Sequence, residues 1–178
     1  MYYVFTNVFN NNASMLVAER GMGGSVEASY ITTCYTISGL VTGLFMGRIV
    51  VALKRKSIGF AYMLGAIGML VTFLGHNVPM VCLGAFISGV GFCIYASTSN
   101  FHVSELSRPS AITFSVAFLA AIINLGSAFS PVIVNAITSV FSDLTETKFL
   151  IAAVVVAVIG AIALVGLKNP AANANAEQ

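Results

Sequence analysis

Long apolar stretches separated by short polar loops place the strongest limit on how this chain can fold. Six of them follow one another along its 178 residues, at 1–19, 26–47, 58–75, 80–99, 110–141 and 149–167. About 20 apolar residues in a helix span the hydrocarbon core of a bilayer. Lipid offers no partner to backbone amides, so each stretch is expected to be helical. The sequence predicts an all-α, polytopic membrane protein, a six-helix transmembrane bundle over 1–167 with a disordered tail over 168–178.

The scarcity of charge excludes a water-soluble domain. Charged residues make up 8% of the chain and hydrophobic residues 58%, whereas ordinary soluble domains carry about 25% charged residues. The net charge of +2 is too small to indicate a nucleic-acid partner. The lipid bilayer is therefore the predicted environment, and nucleic acid is not a predicted partner.

The basic residues predict the orientation of the bundle. Six of them fall on one side of the six predicted spans, namely Arg48, Lys54, Arg55, Lys56, Arg108 and Lys168. Arg20 and Lys148 fall on the other side. Since Lys and Arg are retained in cytoplasmic loops, the first set is predicted to be cytoplasmic. A multi-pass protein of the cell membrane with both termini in the cytoplasm follows.

A ladder of glycines leads from the second span into a basic loop. Its members and the basic residues after them are Gly39, Gly43, Gly47, Arg48, Lys54, Arg55 and Lys56. Glycines at four-residue spacing share one helix face and let another helix approach closely. The ladder is therefore predicted to be a packing surface. Farther along, Gly126 and Pro131 interrupt the long fifth stretch and predict a kink near its outer end.

Several uncharged polar residues lie at membrane depth. The candidates for a substrate cavity are Asn7, Asn11, Tyr30, Thr33, Tyr95 and Asn124. They either line a polar cavity that contacts a solute or form hydrogen bonds between helices. Asn7, Asn11 and Ser14 share one helix face, which should face other helices or water unless 1–19 lies at the membrane interface as an amphipathic segment. Both interpretations of these polar residues are open.

Motifs of enzymes are not found in the sequence. It contains neither HExxH nor GxSxG. His76 and His102 are predicted to lie in loops on opposite sides of the membrane and so cannot share a metal ion. The chain is not predicted to be an enzyme, and neither a cofactor nor a metal site is predicted.

Two segments, ERGMGGSVEASYITTCYTISGLVTGLFMGRIVVALKRK at 19–56 and INLGSAFSPVIV at 123–134, carry a family resemblance. They resemble the C-terminal half of a major facilitator superfamily transporter, and bacterial drug-efflux members are the most similar. The likeness covers nearly the whole chain. In the loop motif of that family Gly43 and Arg48 match, whereas Gly47 stands in place of the acidic residue.

The resemblance implies a function and a partner. The chain would supply spans seven to twelve of a secondary transporter that moves small organic solutes, including drugs in efflux, by alternating access. Such transporters bind substrate between two six-span halves near the membrane midplane, so Asn124 and the polar face of the first helix would look toward the cavity. The second half would be a separate chain or another copy in a homodimer.

A truncated or accessory membrane protein without transport of its own is the alternative. Met1 falls where a full-length transporter would already be inside its seventh helix, which favours a fragment.

Overall fold

The described part of the chain folds into seven α-helices. A computed structural model describes residues 2–53, 56–138 and 145–166. The helices are α1 (Tyr2–Thr6), α2 (Val8–Glu19), α3 (Ser25–Leu53), α4 (Ser57–Leu74), α5 (Val78–Leu106), α6 (Ile112–Thr138) and α7 (Thr145–Gly166). No strand occurs in these ranges. Lys54, Arg55 and the predicted tail 168–178 lie outside the described residues.

Five of these helices, α3 to α7, are long and apolar enough to span a membrane. Their most apolar windows have mean hydropathies between 1.2 and 2.5. The prediction of an all-α, polytopic membrane bundle is thereby confirmed. The first predicted span, 1–19, consists of α1 and α2 placed end to end with a break at Asn7. Together they form about 27 Å of helix, and their crossing of the membrane stays a prediction.

Two glycines reverse the chain between α2 and α3. Gly21 has a φ of 60° and Gly23 a φ of 136°, a region that glycine alone enters at little cost. The N–H of Met22 bonds to the carbonyl of Val17 at 3.0 Å, and that of Gly21 to Ala18 at 3.2 Å. This pair of bonds is a Schellman motif, which satisfies the last carbonyls of α2. The turn brings the first residues of α3 back beside α2.

Helices α4 and α5 approach each other closely through small residues. A Cβ atom added to Gly68 would lie 2.5 Å from the backbone nitrogen of Ser88 and 2.6 Å from the carbonyl oxygen of Gly84. One added to Gly91 would lie 2.7 Å from the carbonyl oxygen of Ala61. The two backbones therefore touch directly, the arrangement that lets helices associate in lipid. Helix α4 also packs on α7, and α3 packs on α5.

The start of α1 is buried halfway along this helix pair. Tyr2 is fully buried, and its hydroxyl donates to the carbonyl of Ala61 at 3.3 Å. Its ring lies 4.6 Å from that of Tyr62 and 4.3 Å from that of Tyr95. Farther on, Phe9 packs against Phe149 of α7 at 5.1 Å. The α1–α2 segment thus packs into the bundle along one face, while Asn10, Asn11 and Ser14 of α2 stay exposed.

Arg20 fastens the end of α2 to two other helices. Its guanidinium donates to Glu146 of α7 at 2.6 Å and to the carbonyls of Thr72 and Phe73 at 3.1 and 2.7 Å. It also donates to the carbonyl of Gly75. The side chain is only 6% exposed. These carbonyls end α4, so the cation satisfies orphan acceptors at the negative end of the helix dipole.

The neighbouring Glu19 caps α7 from the same position. Its carboxylate accepts from the backbone N–H of Thr145 at 2.9 Å and from the hydroxyl of Thr145 at 2.6 Å. A carboxylate at the first turn of a helix is stabilised by the helix dipole. One dipeptide therefore caps the C-terminus of α4 and the N-terminus of α7. We call this group of contacts the Glu19–Arg20 clasp.

Helix α6 is the most exposed of the long helices. Only 6% of the residues in its most apolar 18-residue window are buried. The hydroxyl of Ser130 on α6 donates to the carbonyl of Val4 in α1. Pro131 lies inside this helix, which is continuous from Ile112 to Thr138. The kink expected at Gly126 and Pro131 stays a prediction.

Replacement of Gly68 by Ala is expected to destabilise the bundle by about 1–3 kcal/mol, because the new methyl group must push α5 away. Gly43→Ala is the matched control, since a Cβ at Gly43 meets nothing within 4 Å. Thermal unfolding of the purified protein in detergent measures both. Equal unfolding temperatures for the two variants would contradict the close packing.

Replacement of Arg20 by Gln is expected to cost about 3 kcal/mol, because Glu146 and the carbonyls of α4 lose a buried cation. Arg20→Lys should rescue little, since a single ammonium cannot reproduce the planar fork of donors. Arg48→Gln, at an exposed position of α3, serves as the control in the same unfolding measurement. An Arg20→Lys variant as stable as the parent would refute the clasp.

Candidate functional site

A partly polar cleft lies between α2 and α3. Its outer lobe, of about 270 Å³, is lined by Asn10, Ala13, Ser14, Ser25, Ala28, Ser29 and Thr32. Its inner lobe, of about 240 Å³, is lined by Asn10, Tyr35, Thr36, Gly39, Gly89 and Phe92. The two lobes share Asn10. We call the two lobes together the α2–α3 cleft.

The α3 wall of the cleft is one stripe of small residues. Spacings of three and four place its members on a single helix face, namely Ser25, Ser29, Thr32, Thr36, Gly39, Gly43 and Gly47. The hydroxyls occupy the part nearest the α2–α3 turn, and the glycines continue toward the end of α3. All of these residues are exposed or half-buried. The stripe is therefore an open surface along nearly the whole of α3.

The inner lobe ends at aromatic rings near the middle of the bundle. The rings of Tyr35 and Phe92 lie 5.8 Å apart, and Phe9 stacks on Tyr35 at 5.6 Å. Gly89 of α5 approaches α3 so closely that an added Cβ would lie 2.5 Å from the carbonyl oxygen of Tyr35. Since Gly39 stands halfway along α3, the cleft runs from one end of the bundle to its midplane.

The two predicted asparagines of the first span lie beside the cleft. Asn7 is half-buried at the break between α1 and α2. Its side-chain oxygen Oδ1 accepts a hydrogen bond from the side-chain amide of Asn10 at 3.1 Å. Asn11 is exposed on α2. Neither lines a lobe of the cleft, whose α2 wall is formed by Asn10 and Ser14.

The other four predicted cavity residues do not meet in one place. Tyr30 and Thr33 are exposed on a different face of α3, which also carries Leu40 and Leu44. Tyr95 packs in the aromatic cluster around Tyr2.

Asn124 is exposed on α6. The four residues therefore lie at three separate places, on α3, in the aromatic cluster and on α6. Their contact with a solute stays a prediction.

The glycine ladder is open in the structure. A Cβ at Gly39, Gly43 or Gly47 would meet nothing within 4 Å. Arg48 and Lys56 are exposed at the same end of the bundle. The Cβ face of the ladder therefore meets no other helix among the described residues, and its packing against a partner stays a prediction.

The serines and threonines of α3 that line the cleft were not among the residues predicted from the sequence to line a cavity. Ser25, Ser29, Thr32 and Thr36 recur at spacings of four, three and four, so the sequence did carry a signal. That signal is one face of polar residues continuous with the glycines. Asn10 also lines both lobes, whereas Asn7 and Asn11 line neither. Which of the three asparagines faces the cleft depends on how α2 packs, and the sequence alone does not show this.

The described residues hold no group of three or more metal-ligating side chains. None of the residues that line the two lobes is charged. A cleft of about 330 Å³ between α5 and α6 and one of about 200 Å³ between α4 and α7 are mainly apolar. The α2–α3 cleft is thus a neutral groove whose outer lobe is partly polar and whose inner lobe is mainly apolar.

Comparisons with known proteins identify the family of the chain. The family model described as the Major Facilitator Superfamily matches residues 1–178. Comparison with curated proteins and with solved structures gives no match. That family consists of membrane transporters and is not a class of enzymes. Because the family model covers every residue, the chain belongs to the major facilitator superfamily.

Proposed function

We propose that this chain is the C-terminal half, spans seven to twelve, of a secondary transporter for small organic solutes. It would form one wall of the solute pathway and work by alternating access against a second six-helix half. Efflux of drugs from a bacterial cell is the specific activity that the resemblance suggests. The observation that carries the proposal is the neutral, partly polar cleft between α2 and α3.

The energetics of polar groups in lipid support a water-filled pathway at this cleft. A hydroxyl or amide facing hydrocarbon with unmet hydrogen-bonding capacity is costly. The cleft presents Asn10, Ser14 and the hydroxyls of α3 together. The hydroxyls of Ser29, Thr32 and Thr36 donate within α3 but keep acceptor oxygens to be satisfied. Polar residues at membrane depth are retained where they face a cavity or another helix. A water-filled cavity between two halves would give the polar side chains along the whole cleft the hydrogen-bond partners that lipid cannot supply.

The small-residue stripe of α3 supports a partner bundle. A seam with spacings of three and four is the pattern along which a second helix packs at a shallow angle. The open glycines at Gly39, Gly43 and Gly47 would let its backbone approach closely. The partner would be a separate chain or a second copy of this one.

The proposed orientation follows from charge. Arg48 and Lys56 mark the cytoplasmic end and Arg20 the external end, as the positive-inside rule requires. Both termini would be cytoplasmic, in the plasma membrane. The α2–α3 cleft would then open toward the outside and end at the midplane.

Transport in sealed membrane vesicles tests the proposal. Uptake or efflux of a panel of organic solutes is measured for the chain alone and with a co-expressed six-span N-terminal half. Solute movement in either preparation is expected. Movement in neither would remove the transporter assignment in favour of a truncated or accessory membrane protein.

Ser29→Leu is expected to lower the initial transport rate by about tenfold, equivalent to ~1.4 kcal/mol, because the larger side chain fills the outer lobe. Thr113→Leu, at an exposed position of α6, is the control and should leave the rate unchanged. Both variants are compared at equal amounts in the vesicles. Equal losses in the two would show that the cleft has no special part in transport.

A photoreactive thiol reagent on Gly43→Cys is expected to cross-link the chain to its second half or to another copy. The background lacks Cys34, Cys82 and Cys93, all of which are free thiols. Ile67→Cys on α4, 48% exposed beside the apolar α4–α7 cleft, is the control. Equal yields from both positions would argue against a partner at the stripe.

A further inference from the structure

Three of the four hydroxyl groups on the α3 wall donate their hydrogens within the helix. Ser29 donates to the carbonyl of Ser25 at 2.8 Å, Thr32 to that of Ser29 at 3.1 Å, and Thr36 to that of Thr32 at 2.9 Å. A hydroxyl has one donor and two acceptor lone pairs. Each of these three groups therefore presents only an acceptor oxygen to the cleft.

These three oxygens form a regular ladder. Ser29, Thr32 and Thr36 are three and four residues apart, which places successive hydroxyls about 5 Å apart along the helix axis. Asn10 on the facing helix donates one amide N–H to Asn7, so its own oxygen adds a further acceptor. Its remaining N–H is a single neutral donor.

No lining residue can neutralise an anion. Neither lobe is lined by a lysine, arginine or histidine. Two cations at that end have other partners: Arg20 is held by Glu146 and by the carbonyls of α4, and Lys148 donates to the side-chain oxygen of Asn12 at 3.4 Å.

The donors that remain in the outer lobe, among them the side chains of Ser14, Ser25 and Asn10, are neutral. A carboxylate or phosphate would meet no cation here, which leaves its charge unpaired at a high desolvation cost.

We propose that the α2–α3 cleft selects solutes that present two or more N–H or O–H donors about 5 Å apart and carry no anionic group. The rings of Tyr35 and Phe92 at the inner end would take an apolar part of the same solute. This inference rests on the proposed function, because it treats the cleft as a wall of the solute pathway.

Protection of a cysteine in the cleft measures binding without transport. Ser14→Cys, in the full chain lacking Cys34, Cys82 and Cys93, is labelled with a maleimide in lipid nanodiscs. Four linear probes with the same four-carbon backbone are compared: the terminal diamine, the matching diol, the dicarboxylate succinate and the dimethyl ether of the diol. The diamine and the diol, which represent cationic and neutral donors, are expected to slow labelling. Succinate and the ether are expected to have no effect.

Thr32→Val keeps the shape of the side chain and removes the acceptor. It is expected to raise the half-protecting concentration of the diol about fivefold, the factor that loss of one hydrogen bond gives. Thr113→Val, exposed on α6 and outside both lobes of the cleft, is the control and should leave that concentration unchanged.

The outcomes separate this inference from the proposed function. Protection by succinate, equal protection by the ether and the diol, or no protection by either donor probe would overturn the donor rule, even where vesicles transport a solute. Protection by the donor probes that Thr32→Val weakens supports the rule, even where vesicles transport nothing and the transporter assignment fails.

Discussion

Close contact between helix backbones is the constraint on which the rest of this bundle depends. In lipid the hydrophobic effect does not drive helices together, so they associate through packing and hydrogen bonds. Gly68, Gly84 and Gly91 let α4 and α5 meet backbone to backbone. Helices α3 and α7 then pack on this pair. The pair also encloses Tyr2, the residue from which the first helical segment is positioned.

Polar groups are handled in two different ways in the same fold. At one end of the bundle, Arg20 and Glu19 are surrounded by partners, and each satisfies backbone groups that helix ends leave open. Between α2 and α3, by contrast, hydroxyls and amides face an open cleft. The first arrangement joins helices, whereas the second leaves acceptors free for a ligand. This contrast separates structural polar residues from those suited to a function.

The sequence predicted the helical bundle well, because apolar length and the demand for backbone hydrogen bonding leave few choices in lipid. Glycine spacing was less informative, because it predicts which helix face is open to close packing but not which helix packs there. Gly68 and Gly84 contact another helix, whereas Gly43 does not. The contact of Arg20 with Glu146 joins residues 126 positions apart and has no local signal. The hydroxyl stripe of α3 was predictable, because its spacing alone places it on one face.

The Glu19–Arg20 clasp has a mechanical consequence. The α1–α2 segment is tied at both ends, by Tyr2 to Ala61 of α4 and by Arg20 to the end of the same helix. A displacement of α2 therefore carries α4 and α7 with it. Helix α3 is coupled to the same body through α5, which it meets at Gly89. The width of the α2–α3 cleft is thus set by a closed loop of contacts through α4 and α5, and its two walls cannot separate unless one of these contacts breaks.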